Sequence, residues 1–231
     1  MQTENEPIIK NIEGNENKFS QAIRMTAFVF VIFLLQHYFR RFGQPIETIY
    51  FTIFFDSIAL TGLTMITLSY LLGPLARFWP TKWNQYLPLR KYFGLIGLVF
   101  VVIHVFLALA IFNLVYYPKF FAATGKLSAS GEFSILAGTI GLVILLIIAV
   151  TSLLSVAEKM SLRAWVIVQR FGLVAVILGT LHFAVFKWRG WFDLDHWNNY
   201  IPPGTLVVTV FVIFVFIMYL FDKICRNKKK A

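Results

Sequence analysis

Two histidines, His104 and His182, fall inside long apolar stretches of this chain of 231 residues. An ionisable side chain in hydrocarbon is costly, about 3 kcal/mol at the centre of a span on insertion scales, and is a functional candidate for that reason. Taken singly, each imidazole has two readings: a neutral side chain bonded to a neighbouring serine or carbonyl, or a metal ligand. Taken together, they share a setting. Residues 93–104 run Phe-Gly-Leu-Ile-Gly-Leu-Val-Phe-Val-Val-Ile-His, and residues 171–182 run Phe-Gly-Leu-Val-Ala-Val-Ile-Leu-Gly-Thr-Leu-His. Each places its histidine ten residues after the glycine and behind basic residues, Arg90-Lys91 in one and Arg170 in the other.

At helical periodicity Gly94, Gly97, Val101, His104 and Ala108 share one face of the first segment. Gly172, Ala175, Gly179 and His182 share one face of the second. Stripes of small residues serve close helix–helix packing in membranes. Two such stripes with a level histidine on each also leave a slot for a flat macrocycle, with an axial nitrogen from either side, and haem iron takes such ligands. The pair therefore points to haem b held between His104 and His182, in a slot walled by Gly94, Gly97, Gly172, Ala175 and Gly179.

Other candidates are weaker. His37, beside Tyr38 and Arg40, reads as an interfacial, solvated histidine, with a ligand or quinone contact as the alternative. His196, between Asp195 and Trp197, reads as a loop side chain that could meet a substrate or a metal. Asp56 lies inside an apolar run, either hydrogen-bonded to nearby Thr or Ser or serving a proton relay or quinol. Lys228, Lys229 and Lys230 read as an anchor with affinity for anionic lipid. Cys225 reads as a plain thiol.

The elements that must position these residues follow from composition. Hydrophobic residues make up 58% of the chain and charged ones only 14%, against roughly 45–50% and 25% in a soluble domain. That excludes an ordinary globular protein, a disordered chain and a coiled coil. A single cysteine excludes a disulfide framework and a Cys-ligated iron–sulfur site. Six apolar runs, 22–39, 49–73, 92–115, 133–157, 164–187 and 204–222, are each about long enough to cross a ~30 Å hydrocarbon core. Lipid-exposed backbone must pair with itself, so the runs are helices. Breaks fall at Gly73-Pro74 and Ala157-Glu158-Lys159 among others.

The expected fold is an all-α integral membrane six-helix bundle. Residues 1–20 form a polar cytoplasmic tail, 21–223 the membrane domain and 224–231 a basic cytoplasmic tail. Fifteen of the 21 lysines and arginines fall in the first tail, the second–third and fourth–fifth connections and the last tail, as three, four, three and five. Both termini are then cytoplasmic. The net charge of +10 reports this asymmetry and not a nucleic-acid partner. Trp79, Trp83 and Tyr86 mark the inner interface, and Trp188, Trp191, Trp197 and Tyr200 the outer one. The third and fifth runs both travel outward. Their histidines stand ~18–20 Å beyond the basic anchors, in the outer half of the membrane.

The run Leu68-Ser69-Tyr70-Leu71-Leu72-Gly73-Pro74-Leu75, followed by Leu89-Arg90-Lys91-Tyr92-Phe93-Gly94-Leu95 leading to His104, resembles the ferric reductase-like transmembrane family. That family includes the haem-binding membrane subunit of the bacterial methionine-sulfoxide reductase system. Trp165, Arg170 and His182-Phe183 are similar to its fifth helix, and the resemblance covers roughly 49–190. It implies a six-helix bundle in a bacterial inner membrane that binds b-type haem through helices three and five. Members of the bacterial group usually carry a further histidine just before an arginine at the inner start of helix five. Here that position is Gln169, before Arg170, and Gln is a poor haem ligand. One haem per chain is therefore expected. It would leave ~20 Å to the cytoplasmic side, with a quinone or flavin near Gln169, Arg170 and Arg90.

No Gly-x-Gly-x-x-Gly follows a strand and no Walker loop is present, and about nine residues follow the last run. Electrons are therefore expected from quinol or a separate inner-side reductase. The expected function is a membrane cytochrome, the electron-transfer part of an oxidoreductase, delivering electrons to a periplasmic reductase partner or ferric iron outside. The competing reading is a cofactor-free scaffold of a larger complex.

Overall fold

The computed structural model describes residues 6–228, with side chains placed for 16–225 apart from Leu154 and His196. His196, Lys228, Lys229 and Lys230 lie outside the described side chains. Six long helices account for most of the chain: α1 Glu6–Arg40, α2 Ile46–Phe78, α3 Leu89–Ala110, α4 Ala129–Thr151, α5 Leu162–Lys187 and α6 Gly204–Lys228. Each contains a stretch long and apolar enough to cross a membrane. The protein is a six-transmembrane-helix bundle. Among the described residues the one β feature is an isolated bridge between Phe121 and Leu127.

The boundaries differ from the apolar runs in instructive ways. α1 begins at Glu6, inside the segment expected to be a tail. α2 passes through Gly73-Pro74 and stops four residues later at Phe78, before Trp79-Pro80. A proline within a membrane helix is tolerated because neighbouring groups satisfy the freed carbonyl. α3 ends at Ala110, short of the apolar residues 111–115, where Asn113 Oδ1 accepts from the amides of Val115 and Tyr116 and turns the chain instead. α4 ends at Thr151 and not near Glu158. Serine N-caps start two helices: Ser128 Oγ accepts from Gly131 N at 3.1 Å and Ser161 Oγ from Ala164 N at 3.2 Å, each satisfying an orphan donor of the first turn. The sharp turn between α1 and α2 needs Gly43, whose φ is +91°.

α2 is the hub. More than half of its apolar window is buried (56%), whereas the other spans are mostly open to lipid. Three of its buried hydroxyls bond within the helix itself, whereas those of Thr61 and Thr64 have no partner among the described residues. Ser57 donates to Ile53 O, Thr67 to Leu63 O and Ser69 to Ile66 O, all at 2.7 Å, which lets polar side chains sit in hydrocarbon. α3 packs antiparallel on α2, and α5 antiparallel on α4, while α6 lies across α2 and α5. Phe33, Leu60, Leu63, Ile66, Val176, Val208 and Val212 join α1, α2, α5 and α6 in one core. α3 and α5 barely touch each other, so the pair of helices that carries the two membrane histidines is held apart by what each packs on.

Candidate functional site

His104 lies six residues before the end of α3 at Ala110, and His182 five before the end of α5 at Lys187. At ~1.5 Å per residue both are ~8–9 Å from the same end of the bundle. Trp188 and Trp191 follow α5 at that end. Asp56 follows Phe55 on α2, the residue whose ring lies against His104.

The two rings are held differently. His182 Nδ1 is 2.8 Å from the main-chain oxygen of Ser134 in α4 and 3.1 Å from its Oγ. A carbonyl oxygen only accepts, so Nδ1 carries the proton and Nε2 keeps its lone pair. His104 is clasped by an aromatic ring: Phe55 lies 4.4 Å from it, tilted by 42°. Its Nδ1 is buried with no hydrogen-bond partner among the described residues. Phe55 also neighbours Tyr117 in the connection after α3, and Tyr117 leads through Phe112 and Phe120 to Phe186 of α5. Aromatic rings thus wall the histidines at this end. Tyr117 lies outside the spans, and burial first, then the Asp56 charge, push its phenol up to about 12.

The small residues of the two stripes face different neighbours. Gly97 is buried against α2: a Cβ there would stand 2.9 Å from Gly62 O and 2.7 Å from Ile66 Cγ1. Gly172 makes room for Tyr70, whose hydroxyl a Cβ would overlap. Ala175 is buried beside Gly141 of α4. Gly94 and Gly179 are looser, with nearest atoms 3.9 Å (Ser69 Oγ) and 3.4 Å (Leu63 Cδ1) from an added Cβ. Gly97 and Gly172 are thus taken up by α2, the first by its backbone and the second by the Tyr70 ring, while Gly94 and Gly179 keep more room.

At the other end, Arg90 Nε donates to Ser69 O at 2.9 Å, and its guanidinium lies by Gly73 beside that of Arg77. Tyr70 donates to Gln169 O at 2.8 Å. The Gln169 side-chain amide donates to Oγ of Ser152, the C-cap just past α4, at 3.0 Å. Arg170 is exposed and makes no hydrogen bond or ion pair among the described residues, so it does not join Arg90.

His37 is buried, not solvated, because α1 ends under the α5–α6 connection. Gln36 Nε2 donates to Pro202 O at 2.7 Å and Asn199 Nδ2 to Phe39 O at 2.6 Å, pinning that connection down. Arg41 bridges His37 Nδ1, at 3.3 Å, and Asp56, at 3.4 Å. Asp56 is thus ion-paired and, among the described residues, bonded to no Thr or Ser. Sequence reasoning missed Ser134, Gly138, Phe55 and Arg41. The spacing Gly131, Ser134, Gly138, Gly141 was the available signal for the first two.

No cluster of three or more His, Cys, Asp or Glu capable of holding a metal occurs among the described residues. Two imidazoles are the nitrogen donors here, one with its Nε2 released by the bond at Nδ1. That donor set fits a metal whose remaining ligands come from a macrocycle. The architecture is that of a polytopic membrane protein with paired histidines near one face. The chain belongs to the ferric reductase like transmembrane component family, whose profile matches residues 58–180, from α2 through α3 and α4 to two residues short of His182. It is 24% identical over 180 residues to human metalloreductase STEAP2, covering 67% of this chain and 37% of the relative. Mouse metalloreductase STEAP2 is 26% identical over 203 residues (75% and 42%), and rat metalloreductase STEAP3 25% over 221 residues (83% and 44%). The chain spans less than half the length of these relatives.

Proposed function

We propose that the protein is a membrane b-type cytochrome that carries electrons from a quinol or an inner-side reductase to an acceptor at the outer face, with His104 and His182 as the residues that would hold the haem iron. The observation that carries this is the released Nε2 of His182, on a helix held apart from the one bearing His104. Haem, when bound there, supplies one-electron transfer. The chain's own residues do the rest. α2 and α4 hold α3 and α5 apart, and the Phe55–Tyr117–Phe112–Phe120 rings exclude water from the histidine end. Arg41 pairs with Asp56, the residue after the Phe55 that lies against His104, and with His37, so a polar cluster stands beside the site.

The relatives are named metalloreductases, which supports a metal ion such as ferric iron as the acceptor, with a periplasmic reductase partner as the other. The basic asymmetry between connections supports cytoplasmic termini, and the likeness to the bacterial subunit supports an inner membrane. Arg90, Tyr70 and Gln169 converge at the inner end. Arg90 suits the phosphate or electron-rich ring of a flavin, or a quinone headgroup.

The test is the optical spectrum of the purified protein. A Soret band and a reduced α band are expected in the wild type, at one haem per chain, with both lost or strongly reduced in His104→Ala and His182→Ala. Retention of an unaltered spectrum in both variants refutes the ligand pair. Absence of a Soret band in reconstituted wild type favours the scaffold reading. Flavin quantified in the same preparation decides between flavin and quinol at the inner end.

A further inference from the structure

We propose that Ser134 and Gly138 of α4 are positioning residues that form a seat for the His182 imidazole and fix which of its nitrogens is free; this rests on the ligation reading above. Ser134 is fully buried. Its carbonyl oxygen takes the Nδ1 proton at 2.8 Å. Its own hydroxyl donates to the His182 carbonyl at 2.6 Å. Ring and backbone of His182 are therefore both tied to one residue of the neighbouring helix.

Gly138, one turn further along α4, supplies the room. A Cβ there would stand 2.9 Å from His182 Nδ1 and 3.3 Å from Cγ and Cε1. The three nearest neighbours of that missing methyl are all atoms of this one ring. The bareness of Gly138 is fitted to the imidazole and not to the packing of α4 on α5, which closes further on, at Gly141 against Ala175 O. His104 has no such seat, since its Nδ1 lacks a protein partner among the described residues. The two ligands are unequal. His182 is locked in tautomer and orientation and made more basic by its acceptor, the usual effect of an outer-shell bond on a metal-bound imidazole.

The experiment compares the full-length wild type with Gly138→Ala and Ser134→Ala. Gly138→Ala must turn or push the ring, so its low-spin electron paramagnetic resonance g values shift and haem dissociates about tenfold faster or more. Ser134→Ala adds no atom and leaves the carbonyl in place, so haem is retained and the same readouts shift by less. A second arm needs no haem. Thermal stability of haem-free preparations is measured for Gly138→Ala with His182 present and in the His182→Ala background, and the penalty is expected only in the first. Wild-type g values and dissociation rate in both variants, or an equal Gly138→Ala penalty in both backgrounds, overturn the seat. A wild type that binds no haem refutes the ligation reading, and the haem-free cycle then still reads the seat by itself.

Discussion

Gly97 of α3 and Gly62 of α2 stand back to back: a methyl on the first would come within 2.9 Å of the carbonyl of the second, and one on the second within 3.1 Å of the carbonyl of the first. Two backbones this close gain dispersion contacts along the whole crossing, the main attraction available to helices in lipid. Gly97→Ala should therefore force α2 and α3 apart and cost about 1–3 kcal/mol. Gly94→Ala, one turn away with its nearest atom 3.9 Å off, should be neutral or slightly stabilising. Unfolding in mixed micelles compares them, and equal stability of the two variants would refute the close crossing.

Tyr70 fills the space left by Gly172 and donates to Gln169 O. Gly172→Ala should displace the ring and break that bond, and Tyr70→Ala should relieve the clash. A double-mutant cycle should give a coupling of at least about 0.5 kcal/mol between the positions. Independent effects would show that the ring moves aside freely.

Arg77 reaches from α2 to Asp222 of α6 at 2.5 Å, and the carboxylate is 3% exposed while the arginine is half in the open. Removing the arginine takes a charge-assisted hydrogen bond from a buried carboxylate, whereas removing the carboxylate leaves a half-exposed cation that can turn to water. Arg77→Met should thus cost on the order of 2 kcal/mol and Asp222→Asn clearly less. Melting temperatures of the two variants provide the check, and the reverse order would contradict it.

Tyr117 is held neutral up to about 12 in the folded protein, against about 10 in an unfolded chain. A raised pKa on an acid means that the unfolded state releases its proton first. The contribution is fully present below pH 10 and is lost as pH rises through 12. Melting temperature should therefore fall more steeply between pH 10 and 12 in the wild type than in Tyr117→Phe. Parallel curves would show that the phenol is not buried in solution.

The number of spans was legible in sequence because each apolar run answers to one requirement, the thickness of hydrocarbon. Helix ends were less so. Pro74 looked like a stop and is carried inside α2, while residues 111–115 looked helical and are turned by Asn113. Both outcomes depend on neighbouring groups that take up or supply hydrogen bonds, which periodicity does not record. Arg170 was grouped with Arg90 because both precede a Phe-Gly-Leu, yet it faces outward. Counting along a helix says how far a residue lies from its end, and not which neighbour it faces.

The sequence by itself determined that His104 and His182 sit at one depth, since depth follows from counting residues along two helices of common direction. It could not determine what the small residues beside them face, because a glycine stripe fits a macrocycle or a neighbouring backbone equally well. Only the tertiary structure decided that α2 takes up Gly97 and Gly172. It alone showed that Ser134 and Gly138, on a helix with no histidine, hold the ring of His182. Contacts between α4 and α5 arise from packing residues 34 to 48 positions apart, and nothing local to either segment encodes that meeting.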